Sequence, residues 1–488
     1  MNCVDSQKQD RYKVAKKMDT NPITESGLPV PEKVASTAAA PHQITRRAVV
    51  SWVLYDLANT IFSMGVISLT FPLSVREAVG ETKADARYGL IMAISMALIF
   101  FASPLLGAMT DRARRRMPFL IATTIVSVFF TALLARFGFY WTAAFFIIAN
   151  IGYQAGVQFY DAMLPEVSTE ENRGRIGGIG VGVGYLGSYI AVGISYWVQG
   201  NGPGVQSFGD LLGCHGKSLI FLLIALLFLL FAIPCFLFVK ERGNPKPRPI
   251  NFEMVRNSTS QTIRTLRSSR EYPGLLRFLI GRVFYTDPIN TVISIMALYT
   301  VNVAVRSGLD KTHSEKEASH IMFFAITFAI VGGFFWGWLT DKHGPKRTLN
   351  HVLRAWIVIF VGASCVGIFS LPMWTMYAVA ASAGFCLGGV WASDRPYMLR
   401  LTPPDRIGEF YGLYGMVGRF SAVTGPLIWA VSTAFTNQVL HLDPLRGQGI
   451  AILVLLILMV ASYFILQPVS DHRRDWKGPE VPAAAPRD

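Results

Sequence analysis

This sequence predicts an all-α, polytopic membrane protein with twelve transmembrane helices in two pseudo-symmetric six-helix bundles. Three observations carry that prediction. The 488 residues are 52% hydrophobic, 12% aromatic and only 16% charged, with a mean hydropathy of +0.39, too apolar for an ordinary soluble chain. Runs of about 20 apolar residues, the length that crosses the hydrocarbon core as helix, recur along it. Landmark residues repeat between the two halves of the chain.

Taken in order, residues 1–48 form a polar, Lys-rich tail, expected to be disordered and cytoplasmic. No apolar stretch there precedes a small-residue cleavage site, so no secretory signal peptide is visible. The first bundle, 49–239, holds apolar spans at 49–72, 87–109, 117–136, 139–164, 175–198 and 218–239. A linker, 240–273, follows with Lys240, Arg242, Lys246, Arg248, Arg256, Arg264, Arg267 and Arg270, too polar to span and long enough to join two domains. The second bundle, 274–467, holds spans at 274–303, 318–340, 350–370, 372–399, 408–434 and 448–467, and 468–488 form a C-terminal tail.

Orientation follows from the cations, which concentrate in the segments on the side of both termini, among them Arg112, Arg114, Arg115, Arg116, Arg173, Lys342, Lys346, Arg347 and Arg406. Both termini are therefore expected to be cytoplasmic, and the sequon Asn257-Ser258-Thr259 unglycosylated.

The repeat is specific. Asp56-x-x-Asn59-Thr60 returns as Asp287-x-x-Asn290-Thr291 at an offset of 231, and Gly107-x-x-x-Asp111 as Gly337-x-x-x-Asp341 at 230. Gly174, Gly178 and Gly184 return as Gly408, Gly412 and Gly418 at 234. Nearly equal offsets at corresponding helices argue for parallel repeats of six.

Other classes find little support. The formal charge of +14 lies in short segments between apolar runs, not on a basic domain, which argues against nucleic acid. The cysteines are scattered without metal-ligand spacing, so neither metal nor cofactor is expected. Gly213-Cys-His-Gly216-Lys217-Ser218 is too short between its glycines for a phosphate loop and follows no strand, and no hydrolase or kinase motif is present, so the chain does not read as an enzyme.

Six plus six helices, with Gly-x-x-x-Asp-Arg/Lys and further cations between the second and third helices of each half, resemble the major facilitator superfamily. The first copy departs from the loop motif in having Arg114 where Gly344 stands in the second. A narrower resemblance is to the vacuole-effluxer ("unknown major facilitator") branch. It rests on Trp52-x-Leu-Tyr-Asp56-x-Ala-Asn59, Phe159-Tyr-Asp161-Ala-Met-Leu-Pro-Glu166, Phe284-Tyr-x-Asp287-x-x-Asn-Thr291 and Glu409-Phe-Tyr-Gly-Leu-Tyr-Gly-x-x-Gly-Arg419-Phe420. Ala392-Ser-Asp394-Arg395-Pro396 departs from that branch by an added carboxylate and a proline.

The resemblance implies secondary transport by alternating access, with the first, fourth, seventh and tenth helices lining a central cavity. They carry Asp56, Asp161, Asp287 and Asp394. Asn59 and Thr60 share a helical face with Asp56, Gln158 and Gln154 with Asp161, and Asn290 with Asp287. A carboxylate inside a membrane is by default functional. Arg282, Arg395 and Arg419 lie too deep to snorkel and are expected to pair with these acids. Three roles stay open for the group: a cytoplasmic gate of ion pairs, direct binding of substrate or proton, or static pairing. In the superfamily the loop-motif acids approach the N-termini of the eleventh and fifth helices. That makes Gly107, Asp111 and Arg112, with Gly337, Asp341 and Lys342, an expected latch.

The expected function is movement of a small polar solute, with amino-acid export and proton coupling as the finer reading. Efflux of another organic solute or drug, or a non-transporting sensor or scaffold, are the alternatives. The expected partners are a small-molecule substrate, protons and lipid, on a monomer in a bacterial inner membrane.

Overall fold

Thr45 takes an extended backbone, and its hydroxyl accepts a hydrogen bond from the Ala48 amide at 3.2 Å, so a helix starts where apolar sequence begins. In the computed structural model, which describes residues 44–245, 247–249, 272 and 274–471, this helix, α1, runs Arg46–Val79 through a π-helical stretch at Ser63–Thr70. There follow α2 (Glu81–Arg112), α3 (Met117–Ala132), α4 (Phe139–Ala162), α5 (Arg173–Gln199) and α6 (Gly216–Phe238). The second set is α7 (Leu275–Arg306), α8 (Lys311–His343), α9 (Pro345–Phe369), α10 (Trp374–Leu401), α11 (Ile407–Ala434, continued by a π-helical turn Phe435–Val439) and α12 (Pro444–Leu466). Short helices Leu164–Val167 and Val205–Leu212 lie between α4 and α5 and between α5 and α6.

The twelve long helices fall where twelve apolar runs were read. Several of them, α1, α2 and α8 above all, outrun those runs, because a helix continues into the interfacial zone where its polar residues meet water, whereas α3 and α4 end before theirs do. Among the described residues nine helices are long and apolar enough to cross a membrane. Of the others, α3 is apolar but has 16 residues, while polar groups such as Asn150, Gln158 and Asp161 in α4, and Glu409 and Arg419 in α11, dilute their hydropathy.

Packing follows the repeat. Among the first six helices α1 packs on α5 and α6, α3 on α4 and α6, and α2 on α4; among the last six α7 packs on α11 and α12, α8 on α10, and α9 on α10 and α12. Contact across the halves runs through α2 on α11, α5 on α8 and α10, and α4 on α11. The α2–α11 and α8–α5 pairs are one crossing made twice. Glycine makes both crossings close: a Cβ on Gly107 would strike the Gly408 carbonyl, and one on Gly178 would lie 2.7 Å from the Gly337 Cα. The glycine-rich fifth helix is thus used for packing.

The linker does more than span a gap. Glu241 accepts from the amides of Arg116 (2.6 Å) and Met117, capping α3. The Asn244 side chain donates to the Asp111 carbonyl at 2.7 Å, while the amides of Asn244 and Arg248 donate to the carbonyls of Arg114 and Arg112 at 2.8 and 2.9 Å. Burial pushes the Glu241 carboxyl above its ordinary range. The segment after α12 docks beside the α8–α9 turn, with Arg400 of α10 on Asp471 at 2.9 Å and Lys346 of α9 on the Gln467 carbonyl at 2.8 Å. Gly344 takes φ +88° in that loop, whereas no residue of 112–117 has positive φ, so Arg114 is accommodated without a glycine. Asn257, Lys246, Arg256, Arg264, Arg267 and Arg270, and the tails 1–43 and 472–488, lie outside the described residues.

Close crossings make a size test. A Cβ on Gly384 of α10 would strike the Ala325 carbonyl of α8, whereas Gly193 of α5 has open space around it. Gly384→Ala should destabilise by about 1–3 kcal/mol, and Gly193→Ala should leave stability unchanged or raise it by about 0.5–1 kcal/mol. The apparent melting temperatures of the two purified variants check this, the first falling below wild type and the second not.

Candidate functional site

A cavity of about 560 Å³ lies between α1, α2, α4, α5, α7, α10 and α11. Asp56, Asn59, Thr60, Gln158, Asp161, Arg282, Asn290, Arg395 and Arg419 all line it; Asp287 and Asp394 are not among its lining. It extends past Ser68 of α1 and Tyr88 of α2, away from the end of the molecule where α1 begins and α2 stops. That second end, which carries the Arg112–Arg116 loop, is the basic end.

Aromatic stacking fixes α1 against α4 at the cavity floor. Trp52 stacks on Tyr160 with centroids 4.4 Å apart, and Tyr55 stacks on the same ring at 5.1 Å. The Tyr55 hydroxyl lies 2.6 Å from that of Thr124. Gly180 of α5 leaves room beside Asp56, since a Cβ there would lie 3.3 Å from Oδ2.

Arg395 of α10 holds the acids of the other half. Its Nε lies 3.2 Å from Asp161 Oδ1 and its Nη1 3.7 Å from Asp56 Oδ2, with both acids buried and the guanidinium only slightly exposed, toward the cavity. One guanidinium therefore serves two carboxylates across the halves, leaving a net charge of −1 at the floor. Arg395 Nε and Nη1 and Asp161 Oδ1 make no aligned hydrogen bond, so Coulomb attraction carries the contact.

Asp394, next in sequence, faces away. It is completely buried inside the second half, where Oδ2 accepts from Arg282 Nε at 3.2 Å and Tyr285 at 3.1 Å, and Oδ1 from Tyr414 at 2.9 Å. The Arg282 guanidinium lies 3.5 Å from the Tyr414 ring centroid. This cluster is satisfied and electrically neutral. The expectation that Asp394 faces the cavity fails because successive residues on a helix point about 100° apart, and Arg395 takes the cavity side.

Asp287 departs from expectation as well. It repeats Asp56 in sequence but turns toward α11, where Oδ1 lies 2.5 Å from the Thr424 hydroxyl and Oδ2 is buried without a partner. Arg419 likewise meets no carboxylate: Nη1 donates to the Ser103 hydroxyl and Nη2 to the Gln154 carbonyl at 2.8 Å, while Nε has no partner. Neither nitrogen nor oxygen of the Asn59 amide has one either, though Asn59 is buried and lines the cavity. Gln158 donates to the Ser103 carbonyl at 2.9 Å, and Thr60 to the Asp56 carbonyl at 3.1 Å. Trp391 and Tyr185 line the cavity, while Tyr189 instead bonds the Phe323 carbonyl at 3.0 Å.

Both loop-motif acids sit on helix N-termini. Asp111 accepts from the amides of Gly408 and Glu409, each at 2.7 Å, and Asp341 from those of Gly174 and Arg175 at 2.7 and 3.0 Å. Exposed amides and the helix dipole favour an anion at both places. Arg112 takes part through its carbonyl, Lys342 lies over the Trp338 ring at 5.0 Å, and Arg116 pairs with Asp111 at 3.0 Å. Sequence reasoning missed Ser103, Tyr285, Tyr414 and Thr424. Tyr285 and Tyr414 stand inside motifs already singled out, and lone hydroxyls carry no signal of their own. Among the described residues no group of His, Cys, Asp and Glu is placed to hold a metal.

Known proteins share this fold. The model of the family described as vacuole effluxer Atg22 like matches residues 75–475. An uncharacterized MFS-type transporter of Bacillus subtilis, YxiO, is 26% identical over 86% of this chain and 94% of its own. Autophagy-related protein 22 of Coccidioides immitis is 26% identical over 53% of this chain and 44% of its own. Among solved structures, the human organic anion transporter MFSD10 superposes with a TM-score of 0.65 at 17% identity, covering 86% of this chain and 99% of that one. A bacterial homologue of the iron transporter ferroportin in an outward-facing state gives 0.61 at 14% identity, covering 87% and 98%. At such identities the likeness establishes the fold.

Cysteines placed on α2 and α11 at the basic end measure the Asp111 contact. Asp111→Asn should lower their cross-linking several-fold; equal cross-linking would show that Asp111 does not hold the helices together.

Proposed function

Since the chain belongs to the vacuole effluxer Atg22-like family and is a multi-pass transporter of the major facilitator type, we propose that it moves a small zwitterionic solute by alternating access. An amino acid is the simplest member of that class. One observation carries the reading: the cavity presents a guanidinium with no carboxylate partner, Arg419, and a carboxylate pair with only one counter-ion, Asp56 and Asp161. A solute bearing both an acid and an amine complements the two, the amine at Asp56 and Asp161 and the acid at Arg419. The unpartnered amide of Asn59 supplies a further donor and acceptor. The volume suits a small molecule, such sites spanning about 300–1,000 Å³.

We take the basic end as cytoplasmic, on the distribution of Lys and Arg, and residues 49–239 and 274–467 as the two rocking units. The described conformation then faces outward. Its inner side is closed by Arg395 on Asp56 and Asp161 and by the two N-terminal latches. An incoming amine competes with Arg395 for the acids, weakening the one charge contact that ties α10 to α1 and α4. Opening inward separates that contact and the latches together.

A second reading rests on Arg419 alone. An organic anion without an amine would need only this guanidinium, which no carboxylate neutralises, and the resemblance in fold to an organic anion transporter points the same way.

Counterflow of radiolabelled amino acids into liposomes holding the full chain separates the two. A zwitterionic substrate should be taken up, and its methyl ester should not. Arg419→Gln should weaken binding about 10–100-fold, as expected for one charge-assisted bond of about 1.5–3 kcal/mol. Uptake of the deaminated acid with rejection of the amino acid would favour the anion. Absence of flux with every solute would favour a scaffold.

A further inference from the structure

The acids within the membrane helices do not share one electrostatic condition. Asp56 and Asp161 have Arg395, and Asp394 has Arg282 with two tyrosine hydroxyls. Asp287 is 3% exposed and has no cation among the described residues. Its neighbours are the Thr424 hydroxyl, the Gly425 backbone amide and, on its own helix, Thr291, whose hydroxyl is spent on the Asp287 main-chain carbonyl at 2.7 Å. The described residues of α8, α10, α11 and α12 bring no charged or titratable side chain against it. The nearest candidates are engaged elsewhere, Arg282 with Asp394 and Arg419 with Ser103 and Gln154.

The hydrogen bonds around the acid admit two states, which differ in the charge they bury. The Thr424 hydroxyl lies 2.5 Å from Asp287 Oδ1 and 3.2 Å from the Phe420 carbonyl, and it carries one hydrogen for two acceptors. If Asp287 is ionised, the Thr424 hydroxyl and the Gly425 amide face it, but Oδ2 is bare and a full negative charge sits buried with no counter-ion. That combination is strongly disfavoured. If Asp287 is protonated, its O–H donates to Thr424, Thr424 donates to Phe420, and no charge is buried. Thr286 and Asn290, its near neighbours on α7, line the cavity, so water stands one helix face away.

We propose that Asp287 is a proton-binding site, occupied in this conformation and separate from the solute cavity. The reading of the chain as a transporter enters only in what the proton would drive, namely release when the rocking of the two units brings the acid to water. No bond other than O–H forms or breaks, and the proton leaves to water in the cavity.

Infrared titration of the full-length protein in lipid, in potassium buffer, tests this without any flux. A carboxylic-acid carbonyl band should be present at neutral pH, vanish in Asp287→Asn, persist in Asp394→Asn, and shift in Thr424→Val, which keeps the acid and removes its partner. The wild-type melting temperature should fall as pH rises through the loss of that band, a fall that Asp287→Asn lacks. A wild type without the band, a band retained in Asp287→Asn, or one that sodium removes at constant pH would overturn the proposal, the last in favour of a sodium site. Should Asp287→Asn fail to fold, an unmoved band in Thr424→Val overturns it equally. Failure of the solute assignment in counterflow would leave this result standing.

Discussion

A guanidinium buried within a membrane protein must be matched by carboxylates, and Arg395 finds its match only in the opposite half of the molecule. Alone it would cost several kcal/mol, and on α10 its neighbour Asp394 is already consumed by Arg282, Tyr285 and Tyr414. So α10 is held to α1 and α4, the cavity floor is closed, and the cavity opens toward the other end. The latches at Asp111 and Asp341 act at the same end by a different means, fixed anions on helix amides. Charge at the floor and dipoles at the loops thus bias the same closure.

The repeat is followed faithfully in structure and broken in chemistry. The α2–α11 and α5–α8 crossings, the two latches and the docking of a trailing segment beside each loop all occur twice. The paired aspartates do not. Asp56 meets a guanidinium from the opposite half, whereas Asp287 meets a threonine and no cation. Identical flanking residues, Asn-Thr at the same spacing, therefore accompany a charge contact in one half and a hydrogen bond to a threonine hydroxyl in the other.

Much of this was legible in the sequence. Apolar length located the helices, because hydrocarbon thickness sets a length that composition must satisfy. The contacts of Asp111 and Asp341 followed from the resemblance to the major facilitator superfamily, whose loop-motif acids approach helix N-termini. What escaped was direction around a helix. Asp394 and Arg395 are adjacent, and only tertiary packing decides which of them meets the cavity. Arg419 was expected to pair with an acid, yet it reaches a serine and a main-chain carbonyl, partners that no charge pattern advertises. The Glu241 cap on α3 joins segments more than a hundred residues apart and leaves no local trace.

The most direct measurement of the central claim is the distance between spin labels on the α4–α5 and α10–α11 loops at the basic end, at the exposed residues Glu171 and Asp405, in lipid. With Arg395 intact the distribution should be dominated by the short, closed distance. Arg395→Gln should move most of the population to a longer one. An unchanged distribution would contradict the assignment of Arg395, Asp56 and Asp161 as the contact that closes this end.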